Sequence, residues 1–462
     1  MRRGRILASC AALAALVALA ACATWRALPE PPASAVSPPS LTLADGDGNV
    51  GPRTRARVTA SLVHSERAPR LEQHLAAMET LTDEPLYVGN RVALLVDGPR
   101  TYAAMFAAIE NASEYVNVES YIFGEAQAGG RRLSDLLIDR ARAGVAVNVL
   151  YDALGSATTD DALLERLRAA GVTTCAFNPL NPLKSRTGEF VQRTHRKIVV
   201  VDGATAFTGG LNLSPAYRSS SALVRRRGEQ TLEDGWRDTH VRVDGPVVRS
   251  FQTAFLESWQ KQQCGELATR DYLHEPPRAG DTLVRLVKSS VDADFGTVYA
   301  AKLTAVEAAT ASIDLTMAYF APDERLERAL RAAARRGVEV RLLLPGFSDF
   351  SGVWYAARAH YAALLRDGIR IYEYSPAFMH AKTMTVDDLW STVGSTNWDY
   401  RSLVDNDELN VIVIDAAFGR EMRTVFERDL ASAREITLAE WRERPLTDRF
   451  LERFWVTFER WL

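Results

Sequence analysis

Two stretches of this chain repeat one sparse polar pattern. HRKIVVVDGATAFTGGLN spans residues 195–212 and HAKTMTVDDLWSTVGSTN spans 380–397. Each contains His, one residue, Lys, four residues, Asp, six residues, Gly, Gly or Ser, one residue, Asn. A single His-x-Lys-x4-Asp arises by chance roughly once in a hundred thousand start positions, so two intact copies are no accident. Lysine is scarce: six (Lys184, Lys197, Lys261, Lys288, Lys302, Lys382) stand among 55 basic residues, and two of the six fall in the pattern. A Lys here is a chosen compact point charge.

Two His, two Lys and two Asn fit a bound phosphodiester. Lys197 and Lys382 would neutralise its non-bridging oxygens as charged donors, and Asn212 and Asn397 would add hydrogen bonds. One imidazole attacks phosphorus and becomes a phosphohistidine. The other protonates the leaving alcohol and then deprotonates the acceptor hydroxyl. Fixed donors meet the developing charge, so no metal and no cofactor is expected. A metal site built on the two His is the competing reading. The Lys beside each His would repel a cation, and no CxxC or HExxH spacing occurs.

Each His needs a carboxylate to fix its tautomer. WRDTHVRV follows the first motif and NDELNVIV the second; aligning them sets Asp238 opposite Glu408, the candidate orienting pair. Asp202 and Asp387 complete the motifs and count among the catalytic-motif residues, although a hairpin-turn role suits them better.

The elements that must hold these residues repeat as well. YAAMFAAIENASEYVNVESYIF begins at Tyr102 and YAAKLTAVEAATASIDLTMAYF at Tyr299, an offset of 299 − 102 = 197. Each reads as an amphipathic helix followed by a buried strand. A second helix closed by Gly144 or Gly337 and a further strand follow. GVTTCAFNP at Gly171 and GIRIYEYSP at Gly368 match again at 197, and the motifs at 380 − 195 = 185. KIVVVDG and KTMTVDD read as strand and turn, TAFTGG and WSTVGS as the returning strand. Residues two apart on a strand share a face, so each His and its Lys should point the same way. The fold expected is α/β: two homologous lobes, each a mixed β-sheet flanked by helices.

The 462 residues are 47% hydrophobic and 24% charged with a net charge of −3, which suits two or three globular domains and announces no nucleic-acid partner. MRRGR and the apolar ILASCAALAALVALAA read as a signal segment, too short for a confident membrane span. LAAC ends at Cys22, which resembles a bacterial lipobox with Cys22 as the lipidated first residue; an ordinary secretory signal or an uncleaved anchor are the alternatives. Ala23 leans the protein toward the outer membrane. The expected organisation is signal peptide 1–21, flexible Pro/Ala/Ser/Gly tether 22–57, N-terminal lobe 58–270 and C-terminal lobe 271–462. Cys175 and Cys264 either pair in an oxidising periplasm or stay buried thiols.

The doubled HxKx4Dx6G(G/S)xN resembles the phospholipase D superfamily. ESYIF, WRDTHVRVDGPVV, YFAPDERL, LLPGFSDF and GSTNWDYRSLVDNDELN resemble its bacterial cardiolipin synthase branch, over Tyr87 to the mid-420s. The resemblance implies a pseudo-twofold pair of phospholipase D-type lobes with one shared active site at their interface. It implies catalytic or phosphate-binding roles for His195, Lys197, Asn212, His380, Lys382 and Asn397, and supporting roles for Asp202, Asp387 and Glu408. The implied substrates are phospholipids such as phosphatidylglycerol, and the implied reaction is phosphatidyl transfer. Many members of this branch carry N-terminal membrane helices, which a lipoprotein signal replaces here. A phospholipase D hydrolase and a secreted nuclease use the same chemistry, and a non-enzymatic tethering lipoprotein is the remaining class. Lipid anchoring and net acidity weigh against the nuclease, two intact motifs against the tether.

Two further features bear on substrate. Arg225, Arg226 and Arg227 lie in a loop that could meet anionic headgroups or simply be solvated. The C-terminal RFLERFWVTFERWL sets Phe450, Leu451, Phe454, Trp455, Phe458 and Trp461 on one helical face, for a bilayer interface or for docking on the enzyme body.

Overall fold

The computed structural model describes residues 41–46, 48–63, 68–179, 192–221, 232, 235–291 and 296–462. Cys22 and Arg225, Arg226 and Arg227 lie outside these residues. Both copies of the repeat form the expected helix and strand, although the second helix, Thr297–Ala308, is buried nearly all round rather than on one face. In the helix Gly98–Glu110, Tyr102, Met105, Phe106 and Ile109 recur at helical spacing and are buried, and the strand Tyr115–Ser120 that follows is buried throughout. Thr297–Ala308 and Ser312–Met317 are their counterparts. Gly144 and Gly337 lie at φ 89° and 93°, a left-handed conformation that ends a helix and that only glycine adopts at little cost.

The first lobe's sheet runs Thr173–Phe177, Ala146–Asp152, Tyr115–Ser120, Ile198–Val201, Thr205–Gly209, Thr239–Asp244, Leu86–Val96. The second runs Ala433–Ile436, Arg370–Tyr374, Glu339–Pro345, Ser312–Met317, Lys382–Val386, Trp390–Gly394, Asn406–Ile414, Thr282–Ser289. In each, the first helix-connected strands are parallel and the motif hairpin is antiparallel, so both sheets are mixed. Leu86–Val96 joins them. Its residues 91–96 pair with Thr239–Asp244, while Tyr87 and Asn90 pair with Thr282–Ser289. Across this seam the two sheets share one apolar cluster, including Val241, Val243, Phe251, Val284, Leu286, Val411 and Val413.

The ordered body reaches further toward the N-terminus than the patterning suggests. Leu43–Asp45 is a strand lying parallel to Leu86–Val96 inside the stretch read as tether, and the helix Pro52–Val63 begins in that stretch and runs past its expected end at residue 57. The helix Ala68–Leu81, assigned by sequence to the first lobe, packs on the second. His74 Nδ1 lies 2.8 Å from Thr304 Oγ1, and its ring meets the edge of Trp390 at 5.5 Å. Burial lowers His74 to about 3, so it packs as a neutral group. This helix precedes the repeated unit, so the repeat gives no guide to where it docks. Cys175 and Cys264 form a disulfide that fastens the strand Thr173–Phe177 to the segment after Val248–Lys261.

Candidate active site

The two motifs do not sit at the ends of their own hairpins as independent sites. Each His-x-Lys immediately precedes or begins its strand, and there the chain crosses to the other lobe. Arg193–Thr194 pairs in parallel with Asn406–Asp407, and the His195 amide donates to Asp407 O at 2.8 Å. In the reciprocal place, Arg237 bridges Met379 and the His380 amide donates to Arg237 O at 2.8 Å. Each histidine is thus laid against the strand that carries the carboxylate of the opposite lobe. His195 Nδ1 donates to Glu408 Oε1 at 2.9 Å, and His380 Nδ1 donates to Asp238 Oδ2 at 2.7 Å. The carboxylate at the second strand after a motif's own strand therefore orients the other motif's imidazole. Ion pairs latch the same crossings: Arg237 to Asp429 at 2.6 Å and Lys261 to Asp407 at 3.3 Å.

Both carboxylates are fully buried, the imidazoles are 8% and 5% exposed, and Lys197 and Lys382 are 3% and 1% exposed. Burial, helped by the neighbouring lysines, lowers His195 to about 4 against the opposing pull of Glu408. The same causes, burial first and then Lys382 and Lys197, lower His380 well below its ordinary value. Both rings are therefore neutral at pH 7. With Nδ1–H committed to a carboxylate, each Nε2 keeps its lone pair. Burial also lowers Lys197 to about 7 and Lys382 to about 8. Each ammonium donates to the carbonyl of its own histidine, at 2.7 Å and 2.5 Å. Each also faces an aromatic ring, Tyr121 for Lys197 and Tyr319 for Lys382. Those donors, both ring nitrogens and the two asparagines frame an anion site made from both halves. Asn212 Oδ1 accepts from the Ile122 amide, and Asn397 Nδ2 donates to Ser402 Oγ while its buried Oδ1 has no partner.

The family profile described as "Cardiolipin synthase, PLD-like domain" matches residues 105–222 and 303–430, one match on each lobe. The chain is 34% identical to a cardiolipin synthase of Geobacillus kaustophilus (strain HTA426), over 83% of this chain and 75% of that one. It is 37% identical to a cardiolipin synthase A of Pseudomonas fluorescens (strain SBW25), over 80% and 74%. The chain belongs to the cardiolipin synthase family. It is a phosphatidyltransferase of the phospholipase D superfamily. A solved phosphatidylserine synthase from Haemophilus influenzae Rd KW20 shares the fold, with a TM-score of 0.62 over 84% of this chain and all of that one at 13% identity.

In this cardiolipin synthase family member the motif aspartates Asp202 and Asp387 stand in the hairpin turns, apart from the imidazoles. Asp202 accepts from the amides of Ser113, Glu114 and Tyr115 and from Ser113 Oγ. Asp387 does the same with Thr310, Ala311 and Ser312. Both sit at positive φ in the hairpin turn, at the far end of the strand from the imidazole. Their carboxylates pin the hairpin to the start of the neighbouring strand, and they act on catalysis through position alone.

Several residues of the site carried no signal in the motif. The Tyr217 hydroxyl lies 3.0 Å from His380 Nδ1, and the rings of Trp236, Phe378 and Tyr319 surround that imidazole at 5.1, 5.9 and 6.3 Å. Among the described residues one aromatic ring, Tyr121, flanks His195, at 5.1 Å. Lys302 is buried and donates to Thr396 O at 2.7 Å, and burial lowers it to about 7. Its signal was available: it is one of six lysines and aligns with Met105 at the repeat offset, 302 − 197 = 105.

Proposed function

We propose that this protein condenses phospholipids at an envelope membrane, moving a phosphatidyl group from phosphatidylglycerol to the hydroxyl of a second phosphatidylglycerol. The observation that carries it is the crosswise pair of neutral, carboxylate-backed imidazoles facing two buried ammonium groups. The relatives named above are cardiolipin synthases, and their likeness spans both halves of the centre.

In the first step Nε2 of one imidazole attacks phosphorus, and the bond from phosphorus to the leaving glycerol oxygen breaks. The bound phosphodiester anion favours uptake of a solvent proton at Nε2 of the other imidazole, and the imidazolium so formed gives that proton to the departing oxygen. In the second step the now neutral imidazole takes the proton of the acceptor hydroxyl. The acceptor oxygen attacks phosphorus, and the phosphorus–nitrogen bond breaks. Two phosphatidylglycerols yield cardiolipin and glycerol. The lysines and asparagines hold the non-bridging oxygens in both steps. His195 is the attacking group in this scheme, because its partner Glu408 is the more firmly ionised carboxylate. Burial alone would raise Glu408, but the His195 interaction, Lys197 and the Ser395 hydroxyl outweigh it and hold it below its ordinary value.

Lipidation at Cys22 would keep the protein on the periplasmic side of the envelope, leaning to the outer membrane. The Cys175–Cys264 disulfide supports an oxidising compartment. Among the described residues no helix is long and apolar enough to cross a membrane. The deciding experiment supplies labelled phosphatidylglycerol and resolves products by mass. Cardiolipin plus glycerol supports transfer to lipid; phosphatidic acid assigns water as acceptor; no turnover of lipid removes the reading. Mass analysis of the mature N-terminus tests Cys22: a terminus without acyl chains sinks the lipid anchor.

A further inference from the structure

The last helix is built inside out. In Leu446–Val456 and the turn Glu459–Trp461, the large apolar side chains on one side face solvent: Leu446 is 77% exposed, Phe450 69%, Phe454 45%, Phe458 40% and Trp461 54%. The rings form a continuous run, with centroids of Phe450 and Phe454 6.5 Å apart, Phe454 and Phe458 5.1 Å, Phe458 and Trp461 5.7 Å. The acids of the same segment turn the other way. Glu452 is buried and receives Arg444 at 2.7 Å, and Glu459 lies 3.0 Å from His360 Nε2. Asp448 is half-buried, whereas Arg449, Arg453 and Arg460 are exposed beside the rings. A face that shows aromatics and arginines, and turns its acids inward, is complementary to an anionic lipid surface. A continuous exposed run of large apolar side chains marks a contact surface.

The patch also runs into the active site. Trp455 fixes the helix to the body by packing on the cluster of Val353, Ala356 and Leu462, and Tyr319 packs on that same cluster. Tyr319 is the ring over Lys382 and beside His380. Phe350, 45% exposed, meets Trp455 edge-on, and the neighbouring Asp349 accepts from the Tyr319 hydroxyl at 2.7 Å. One aromatic layer thus leads from the exposed helix face to the imidazole.

We propose that this face of the C-terminal helix docks on an anionic phospholipid bilayer and holds the mouth of the site against the lipid surface. Its purpose rests on the lipid-transfer reading; the docking itself does not. The full-length protein is compared with a Phe450→Ser/Phe454→Ser/Phe458→Ser variant on two substrates. One is long-chain phosphatidylglycerol in mixed vesicles with phosphatidylcholine, the other monomeric short-chain phosphatidylglycerol in solution. Vesicle turnover should fall about tenfold while the soluble substrate is processed within about twofold of wild type. Unchanged vesicle turnover, or equal loss on both substrates, overturns the proposal. A second readout is independent of activity. Vesicles of phosphatidylglycerol with brominated phosphatidylcholine should quench the part of the emission that Trp461→Phe removes. No such quenching overturns docking even if transfer is real. Quenching in a protein that turns over neither substrate upholds docking and fails the transfer reading instead. If the triple variant converts a dimer to a monomer and leaves vesicle turnover intact, the face belongs to a second copy of the chain and the proposal falls.

Discussion

The two halves of the active centre descend from one pattern and differ in chemistry. Around His195, Glu408 presents Oε1 to the imidazole while its Oε2 accepts from Ser395 Oγ, and this carboxylate is held below its ordinary value. Around His380, Asp238 receives the imidazole on one oxygen and the Thr239 amide on the other, and burial raises it to about 6 despite Lys382. His195 and Lys197 do most to hold Glu408 down, and one motif position adds to the difference. Ser395 stands where the first copy has Gly210, and a Cβ at Gly210 would come within 2.1 Å of Asp238 Oδ1. The shorter Asp therefore needs a glycine beside it, while the longer Glu accommodates a serine that stabilises its charge. His380 also has the Tyr217 hydroxyl and three aromatic rings close by, where His195 has one. A duplicated site need not stay symmetric: the proposed scheme uses the His195 half for the nucleophile and the His380 half, in its aromatic box, for the proton carrier.

The most severe test breaks either half outright. His195→Ala and His380→Ala should each cut turnover by more than about a thousandfold, because each step needs both rings. Substantial activity in either variant, measured on labelled phosphatidylglycerol, would leave one motif decorative.

The proposed division of roles is sharpened by trapping. His380→Asn, given an activated phosphodiester whose leaving group needs no proton, should leave phosphorus on His195, found by peptide mapping after rapid quench. Label on His380 in the His195→Asn protein, and none on His195, would reverse the roles.

The carboxylates should follow their partners across the lobes. Glu408→Gln is expected to lose about a hundredfold to ten-thousandfold with any leaving group, since it disables the attacking ring. Asp238→Asn should lose as much on phosphatidylglycerol and far less on the activated diester. The opposite ranking would mean that each carboxylate serves a different imidazole from the one it touches.

The pH profile probes the lysines. An ammonium group binds the phosphodiester only while protonated, so the charged form is present below its pKa and lost above it. With Lys197 at about 7 and Lys382 at about 8, kcat/KM should decline as pH rises through that interval. Saturating lipid favours the charged forms, so the decline in kcat should move to higher pH. A flat kcat/KM from pH 7 to 9 would contradict both lowered values.

The smallest effect is expected at Lys302. Lys302→Met installs the residue that the first copy carries at Met105 and removes a cation that interacts with Glu408. Turnover should drop about threefold with little change in thermal stability, read by steady-state kinetics and a melting curve. A loss as deep as that of Glu408→Gln would place Lys302 among the groups that contact substrate.

Much of this was readable from local pattern. The helix-strand repeat, the glycines that end its helices and the hairpins that follow the motifs all depend on residues close in sequence, where helical and strand periodicity speak directly. The doubled motif singled out the six groups proposed to hold the phosphodiester, and aligning its flanks picked out Asp238 and Glu408, which touch the two imidazoles. Sequence spacing also exposed Asp202 and Asp387, but their positive φ and backbone partners assign them to the turn.

What the sequence by itself determined is the inventory: two lobes, one motif in each, and the residue types that phosphoryl transfer requires. Tertiary structure decided the wiring. Leu86–Val96 pairs with both sheets, and the segments before His195 and His380 pair with strands of the opposite lobe, so Glu408 reaches His195 and Asp238 reaches His380. No periodicity encodes that crossing, because a repeat describes each copy against itself and the crossing exists only between copies. The same holds for Tyr217, Lys302 and the Cys175–Cys264 pair, whose partners lie 163, 94 and 89 residues away.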